Sequence, residues 1–173
     1  MRLCENKMVA VAVCTKRLGL VVFCQAELIY FAVKTLKPPR TIPQIQHQVS
    51  EIIQEIIAEF TPEEVVLKLP GKQQAKSKNL LTAVNQIKQE AQAAGILWQE
   101  ISFEQVKREF CLDGKPNKTN VFKTIVRNYP ELKQFVNHPS RWQTEYYNSL
   151  LSAAAVGFYI LNKSSNKNSS KQN

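Results

Sequence analysis

Six consecutive apolar residues, Met8–Val13 (MVAVAV), precede a polar break at Thr15-Lys16-Arg17, and a second apolar run, Leu18–Phe23, follows around Gly19. An unbroken apolar run of this length suits a strand covered on both faces, and the break predicts a hairpin. Leu28–Thr35 reads as a third strand after the connection Gln25-Ala26-Glu27. Lys37-Pro38-Pro39-Arg40 forbids regular structure and marks a crossover. Ile45, Val49, Ile52, Ile53, Ile56, Ile57 and Phe60 then recur at helical spacing, which predicts an amphipathic helix over Ile42–Phe60. Thr41 is its expected N-cap, with Gln44 completing a capping box.

Val65–Leu69 is a short apolar run stopped by Pro70-Gly71, and a strand reached through a helix lies parallel to one of the first three. Leu80, Leu81, Val84 and Ile87 predict a second helix over Asn79–Ala94, ended by Gly95, and Ile96–Ile101 is the fifth strand. Ser102 with Gln105 opens a short helix to Phe110, a further helix covers Thr119–Asn128, and Pro130–Pro139 is irregular. Ser140 with Gln143 opens the last helix, which runs to about Leu161. This order predicts an α/β fold, a five-stranded mixed sheet with Met8–Val13 central beside Val65–Leu69 and helices on both faces. Residues 1–161 form one domain. Residues 162–173 contain no apolar residue and are expected to be a disordered basic tail.

Charge changes this picture more than composition does. The formal net charge is +9 and the sequence pI about 9.5, with three of the positive charges (Lys163, Lys167, Lys171) in the tail. Such an excess favours a polyanionic partner, nucleic acid ahead of an acidic membrane surface, against the plainer alternative of solubility. No apolar run approaches the roughly 20 residues needed to span a bilayer, so no membrane role is expected. The start MRLCENK carries no signal-peptide core. Cys4, Cys14, Cys24 and Cys111 lie in no metal-type spacing and are read as reduced thiols of a cytoplasmic protein, Cys14 and Cys24 as core fillers. His47 and His138 stand far apart, so no zinc site is expected.

The stretch Gln105–Val126 (QVKREFCLDGKPNKTNVFKTIV) carries a Val106-Lys107 pair, Gly114 in a loop, Lys118, and then Val121 and Val126 at helical spacing. It resembles the corresponding segment of RuvC-type Holliday-junction resolvases, of the RNase H-like superfamily, and Thr15–Gly19 resembles the turn after that family's first strand. The resemblance runs from about Met8 to Leu161, and the order of elements agrees with it. It implies an RNase H-like (RuvC-like) fold and, in active members, phosphodiester cleavage by two Mg²⁺ ions held by four carboxylates. A hard cation takes oxygen ligands, and a metal pair clamps the attacking and leaving oxygens.

The resemblance places those four ligand positions on Ala12, Lys68, Glu145 and Asn148. One carboxylate survives. A lysine charge about 4 Å from a divalent ion costs roughly 8 kcal/mol at an effective dielectric of about 20. Glu27, Glu100, Glu104 and Asp113 are the acids that recruitment could draw on, each on a strand end or loop. Lys107 and Lys118 match the lysines that the family places beside the scissile phosphate. Lys68–Lys88 holds five lysines and no acid, including Lys72, Lys76 and Lys78. It lacks interleaved aromatics for base stacking. Helix N-termini near Asn79 and Asn117 add anion-binding N–H groups. Glu145, Asn148, Ser149 and Ser152 form a polar stripe expected to face the cleft.

The sequence is therefore read as a RuvC-like pseudo-nuclease rather than an enzyme, binding branched or duplex nucleic acid, DNA ahead of RNA. Phosphate contacts are expected from Lys16, Arg17, Lys72, Lys76, Lys78, Lys107 and Lys118, with no metal or other cofactor. One alternative is a divergent Mg²⁺-dependent junction endonuclease. The other is a non-catalytic interaction module using the family's dimer surface, which leaves a homodimer open.

Overall fold

The computed structural model describes residues 4–111, 114–136 and 140–170. Asp113, His138 and Lys171 lie outside them. Strands β1 (Lys7–Val13), β2 (Arg17–Cys24) and β3 (Glu27–Thr35) form an antiparallel meander. Helix α1 (Ile42–Phe60) crosses to β4 (Glu64–Lys68), and α2 (Lys78–Ala93) crosses to β5 (Leu97–Ile101), both strands parallel to their neighbours. Helices α3 (Phe103–Phe110), α4 (Lys118–Asn128) and α5 (Arg141–Ser169) complete the chain. The sheet order is β3-β2-β1-β4-β5, which leaves β1 central as its apolar run requires. This is the expected five-stranded mixed sheet, a RuvC-type RNase H-like fold.

Side chains alternate across the sheet and divide the core in two. Val9, Val11 and Val13 pack with Ile45, Val49, Ile53, Leu80, Val84 and Ile87 under α1 and α2. Met8, Ala10 and Ala12 pack with Val66, Val121, Ile125, Leu150 and Ala154 under α3, α4 and α5. The second face is built for close approach. A Cβ on Gly19 would lie 2.2 Å from the Ser149 carbonyl carbon, and one on Gly157 would lie 2.4 Å from the Phe23 ring. Small residues at 10, 12, 19 and 157 thus let α5 lie directly on β1 and β2. Between the sheet on one side and α3 and α4 on the other, every residue of α5 from Ser149 through Gly157 is buried.

Several expectations are corrected here. Helix α5 does not stop near Leu161 but continues as an exposed helix to Ser169, through most of the stretch expected to be a disordered tail. Serine and asparagine give that stretch no core, yet an established helix propagates at small cost per residue. Thr41 is the N-cap of α1 as expected, but the capping box does not form, its hydroxyl donating to Gln44 Oε1 at 3.0 Å rather than accepting from a backbone N–H. The N-cap of α2 is Ser77, while Asn79 lies inside the helix and donates to the Arg40 carbonyl at 3.3 Å. Pro130–Phe135 is a short 3₁₀ helix rather than irregular.

Cys4 and Cys24 are paired as a disulfide, Cα atoms 6.1 Å apart, which removes the thiol argument behind a cytoplasmic assignment. Cys14 is half-buried rather than a core filler. Among the described residues no helix is long and apolar enough to cross a membrane.

Candidate nucleic-acid interface

The basic residues gather where β1, β4 and β5 end and β2 begins, the carboxyl edge at which open α/β sheets hold ligands. Register decides who meets there. Val11 pairs with Leu67, so Ala12 and Lys68 come next, and Lys68 lies opposite Ile101. Alternation carries Lys68, two residues past Val66, to the α5 side of the sheet, where Ala12, Val66 and Ile101 share one core cluster.

Directly after β5, Ser102 caps α3 with a complete capping box. Its hydroxyl accepts from the Glu104 N–H at 3.2 Å, and its own N–H donates to Gln105 Oε1 at 3.0 Å. Phe103 is thereby fixed as the first residue of α3, and Lys107, one turn on, shares its face. Asn117 caps α4 by accepting from the Asn120 N–H at 2.8 Å, which makes Lys118 the first helical residue. Three ammonium groups meet at the Phe103 ring. Lys68 Nζ is 5.4 Å from its centroid, and Lys107 and Lys118 are 5.9 Å from it. Lys118 also stands 5.7 Å from the Phe122 ring, which meets Phe103 edge to face. These lysines, with Gly71, Gln74 and Ser102, line a pocket of about 260 Å³.

Three like charges around one phenyl ring attract anions and repel each other. Lys107 has a partner in Glu104, at 2.7 Å. Neither Lys68 nor Lys118 forms an ion pair among the described residues. Burial lowers the pKa of Lys68 from 10.5, with the Lys107 charge adding to the effect and Cys14 opposing it. Burial lowers that of Lys118 as well, reinforced by Lys68 and Lys107 and again opposed by Cys14. The lysine–aromatic contacts offset part of this cost. An anion in the pocket would offset much more, because charge-assisted hydrogen bonds favour the protonated amines.

The other expected residues are placed as follows. Lys72, Lys76 and Lys78 are exposed on the loop after β4 and the start of α2, beside the pocket but spread along the surface. Lys16 is exposed in the β1–β2 turn, and the Arg17 guanidinium stands 4.9 Å over the Tyr146 ring. Of the four ligand positions implied by the resemblance, Ala12 is buried beneath α5, so an acid there would enter the core. Glu145 pairs with Arg141 at 3.0 Å. Asn148 shares a cleft of about 270 Å³ with Lys118, Thr144 and Leu151.

The polar stripe does not hold together, since Ser149 and Ser152 are buried while Glu145 faces solvent. Glu27 is exposed, Glu100 pairs with Lys88 at 2.6 Å, and Glu104 is committed to Lys107. Among the described residues no three His, Cys, Asp or Glu side chains come together as a metal site. At the four positions only Glu145 is a carboxylate, Asn148 brings a neutral amide oxygen, and Ala12 and Lys68 bring no oxygen donor, a set that does not suit a pair of divalent ions.

Sequence reasoning missed Phe103, Cys14 and Tyr146. Phe103 left a signal, an aromatic directly behind a capping serine at a strand's carboxyl end. Cys14 and Tyr146 left none, because the β1–β2 turn and α5 bring them in from opposite ends of the chain.

Among solved structures the chain is similar to Thermus thermophilus RuvC, at 18% identity and a TM-score of 0.67, over 87% of this chain and 90% of that one. The same enzyme in complex with a Holliday junction substrate matches at 17% identity and a TM-score of 0.67, over 92% and 97%. The yeast mitochondrial Holliday junction resolvase Ydc2 matches at 9% identity and a TM-score of 0.64, over 87% and 77%. At these identities the likeness is one of fold. No family model and no curated protein matches the sequence.

Proposed function

We propose that this protein binds nucleic acid, DNA ahead of RNA, by holding backbone phosphates at the carboxyl edge of its sheet without a metal ion. The observation that carries the proposal is the convergence of Lys68, Lys107 and Lys118 on the Phe103 ring. Two of these amines are half-buried and lack carboxylate partners among the described residues, so the pocket is incomplete in charge until an anion enters it. A phosphate oxygen accepts from several amines at once, and its entry releases counterions from the nucleic acid. The RuvC-type fold supports a structured polynucleotide as the ligand, since a structure of that fold is a complex with a Holliday junction substrate.

The same residues argue against two-metal cleavage. In this proposal Lys68 supplies one positive charge where the resemblance implies a metal-binding acid, so phosphate is held but no water is activated. Binding as a homodimer belongs to the same proposal, and the sedimentation mass of the free and bound protein tests it.

The deciding experiment measures binding of the full chain to a labelled four-way junction, a duplex and a single strand across a salt series in EDTA, with an RNA duplex as competitor. Retention that falls linearly with log salt, unaffected by EDTA, is the expected result. Loss of binding on chelation, or Mg²⁺-dependent nicking abolished by Glu145→Gln, would establish the divergent nuclease instead.

A further inference from the structure

An aromatic cluster at the start of α5 has no part in the phosphate pocket. Trp142, in the first turn, keeps 62% of its surface exposed. Its ring stands 6.1 Å from Tyr146 at 76°, Tyr146 meets Tyr147 at 5.0 Å, and Tyr147 meets Phe135 at 4.7 Å. Only the last members reach the core, where Phe135 and Tyr147 pack against the α5-side cluster. Trp142 is thus an exposed indole held from behind by a chain of rings. Arg17 lies 4.9 Å over Tyr146 and adds a guanidinium to the same patch.

The patch borders the lysine pocket along two routes. The Arg17 carbonyl accepts from the Cys14 N–H at 2.8 Å, and the charges of Lys68 and Lys118 both feel Cys14. On the other side, Thr144 and Asn148, two and six residues beyond Trp142 on α5, share a cleft with Lys118. An aromatic surface beside a cationic pocket is the pairing that single-stranded polynucleotides require.

We propose that Trp142, backed by Tyr146 and Arg17, is a stacking platform for an unpaired nucleobase whose strand runs into the lysine pocket. The inference rests on the phosphate-binding proposal and narrows its ligand to nucleic acid with unpaired bases, a single strand or an open branch point. Bases inside a continuous duplex already stack on each other and present no free face to the indole. A neighbouring phosphate at Lys118 fixes the strand, and Arg17 draws the backbone across the gap.

The chain has two tryptophans, so Trp98→Phe leaves Trp142 as the reporter. That full-chain variant is titrated with an oligothymidine and with a blunt duplex of equal length, reading tryptophan emission and anisotropy of the labelled DNA together. The expected result is emission quenched by the single strand with the same midpoint as the anisotropy, and unchanged by the duplex. Trp142→Ala then weakens single-strand binding by about tenfold and duplex binding not at all, while Trp142→Phe restores most of the loss. Unchanged emission and equal single-strand affinity in Trp142→Ala, with salt-sensitive binding intact, would overturn the platform and leave the phosphate pocket standing. Binding of neither DNA, nor of the four-way junction, by the unmodified protein would overturn both.

Discussion

The molecule carries two groups of lysines, and they differ in how they are held. Lys72, Lys76 and Lys78 are close in sequence and form the visible basic run, yet each projects from the surface into solvent. Lys68, Lys107 and Lys118 are scattered through the chain but meet around one phenyl ring, two of them half-buried with lowered pKa values. An exposed lysine interacts weakly with its surroundings because water and salt screen it. A crowded, partly desolvated one gains far more from an anion. Closeness in sequence therefore marks a general field, and closeness in space marks a site.

The comparison breaks most directly on the pair Lys68→Gln with Lys118→Gln. Removing a charge-assisted hydrogen bond costs about 1.5–3 kcal/mol, so anisotropy should show DNA affinity of the double variant falling by at least a hundredfold. The melting temperature should not fall, because two poorly solvated amines are removed. Affinity within threefold of the parent would demote the pocket to a structural feature.

Phe103→Ala tests the floor on which the amines are arranged. Loss of a half-buried ring that also packs on Phe122 should cost about 2 kcal/mol of stability in urea unfolding. Affinity measured well below the transition should drop by about tenfold, with Phe103→Tyr close to the parent. An affinity unchanged by Phe103→Ala would show that the lysines need no common platform.

A pH series sharpens the contrast further. The folded protein binds fewer protons at Lys68 and Lys118 than the unfolded chain does between their lowered values and 10.5. Stability should therefore rise with pH across that window, and the penalty should be fully in place below it. Lys68→Met should flatten the rise, measured as the urea midpoint against pH. Phosphate binding has the opposite sense, taking up protons and weakening as pH climbs through the same window.

The smallest effect belongs to Lys72→Gln, Lys76→Gln and Lys78→Gln combined. It should lower affinity only a few-fold, evenly across sequences, and reduce the log–log salt slope by about 0.9 for each phosphate no longer neutralised. A drop as large as that of the pocket variant would reverse the ranking of the two groups.

The alternation of apolar and polar residues settles much of this protein by itself. The apolar run Met8–Val13 had to be the central strand, and the isoleucine spacing placed α1 at Ile42–Phe60. Ser102 with Gln105 set the start of α3, and Lys107 and Lys118 were already visible as phosphate-binding candidates. Such features are local, fixed by periodicity and caps within one or two turns.

The meeting of Lys68 with those two lysines, by contrast, depends on the β1–β4–β5 register and on the crossing of α3 and α4. Ala12 looked like a missing ligand and proves to be part of the small-residue surface that lets α5 lie on the sheet. The aromatic rings that meet lysines of the Lys68–Lys88 run come from outside its lysine-rich turn, Phe103 of α3 beside Lys68 and Trp98 of β5 beside Lys88. Cys4 meets Cys24 only because β1 and β2 are antiparallel. Pairings between distant segments carry no periodic signature along the chain, so tertiary packing alone decided them.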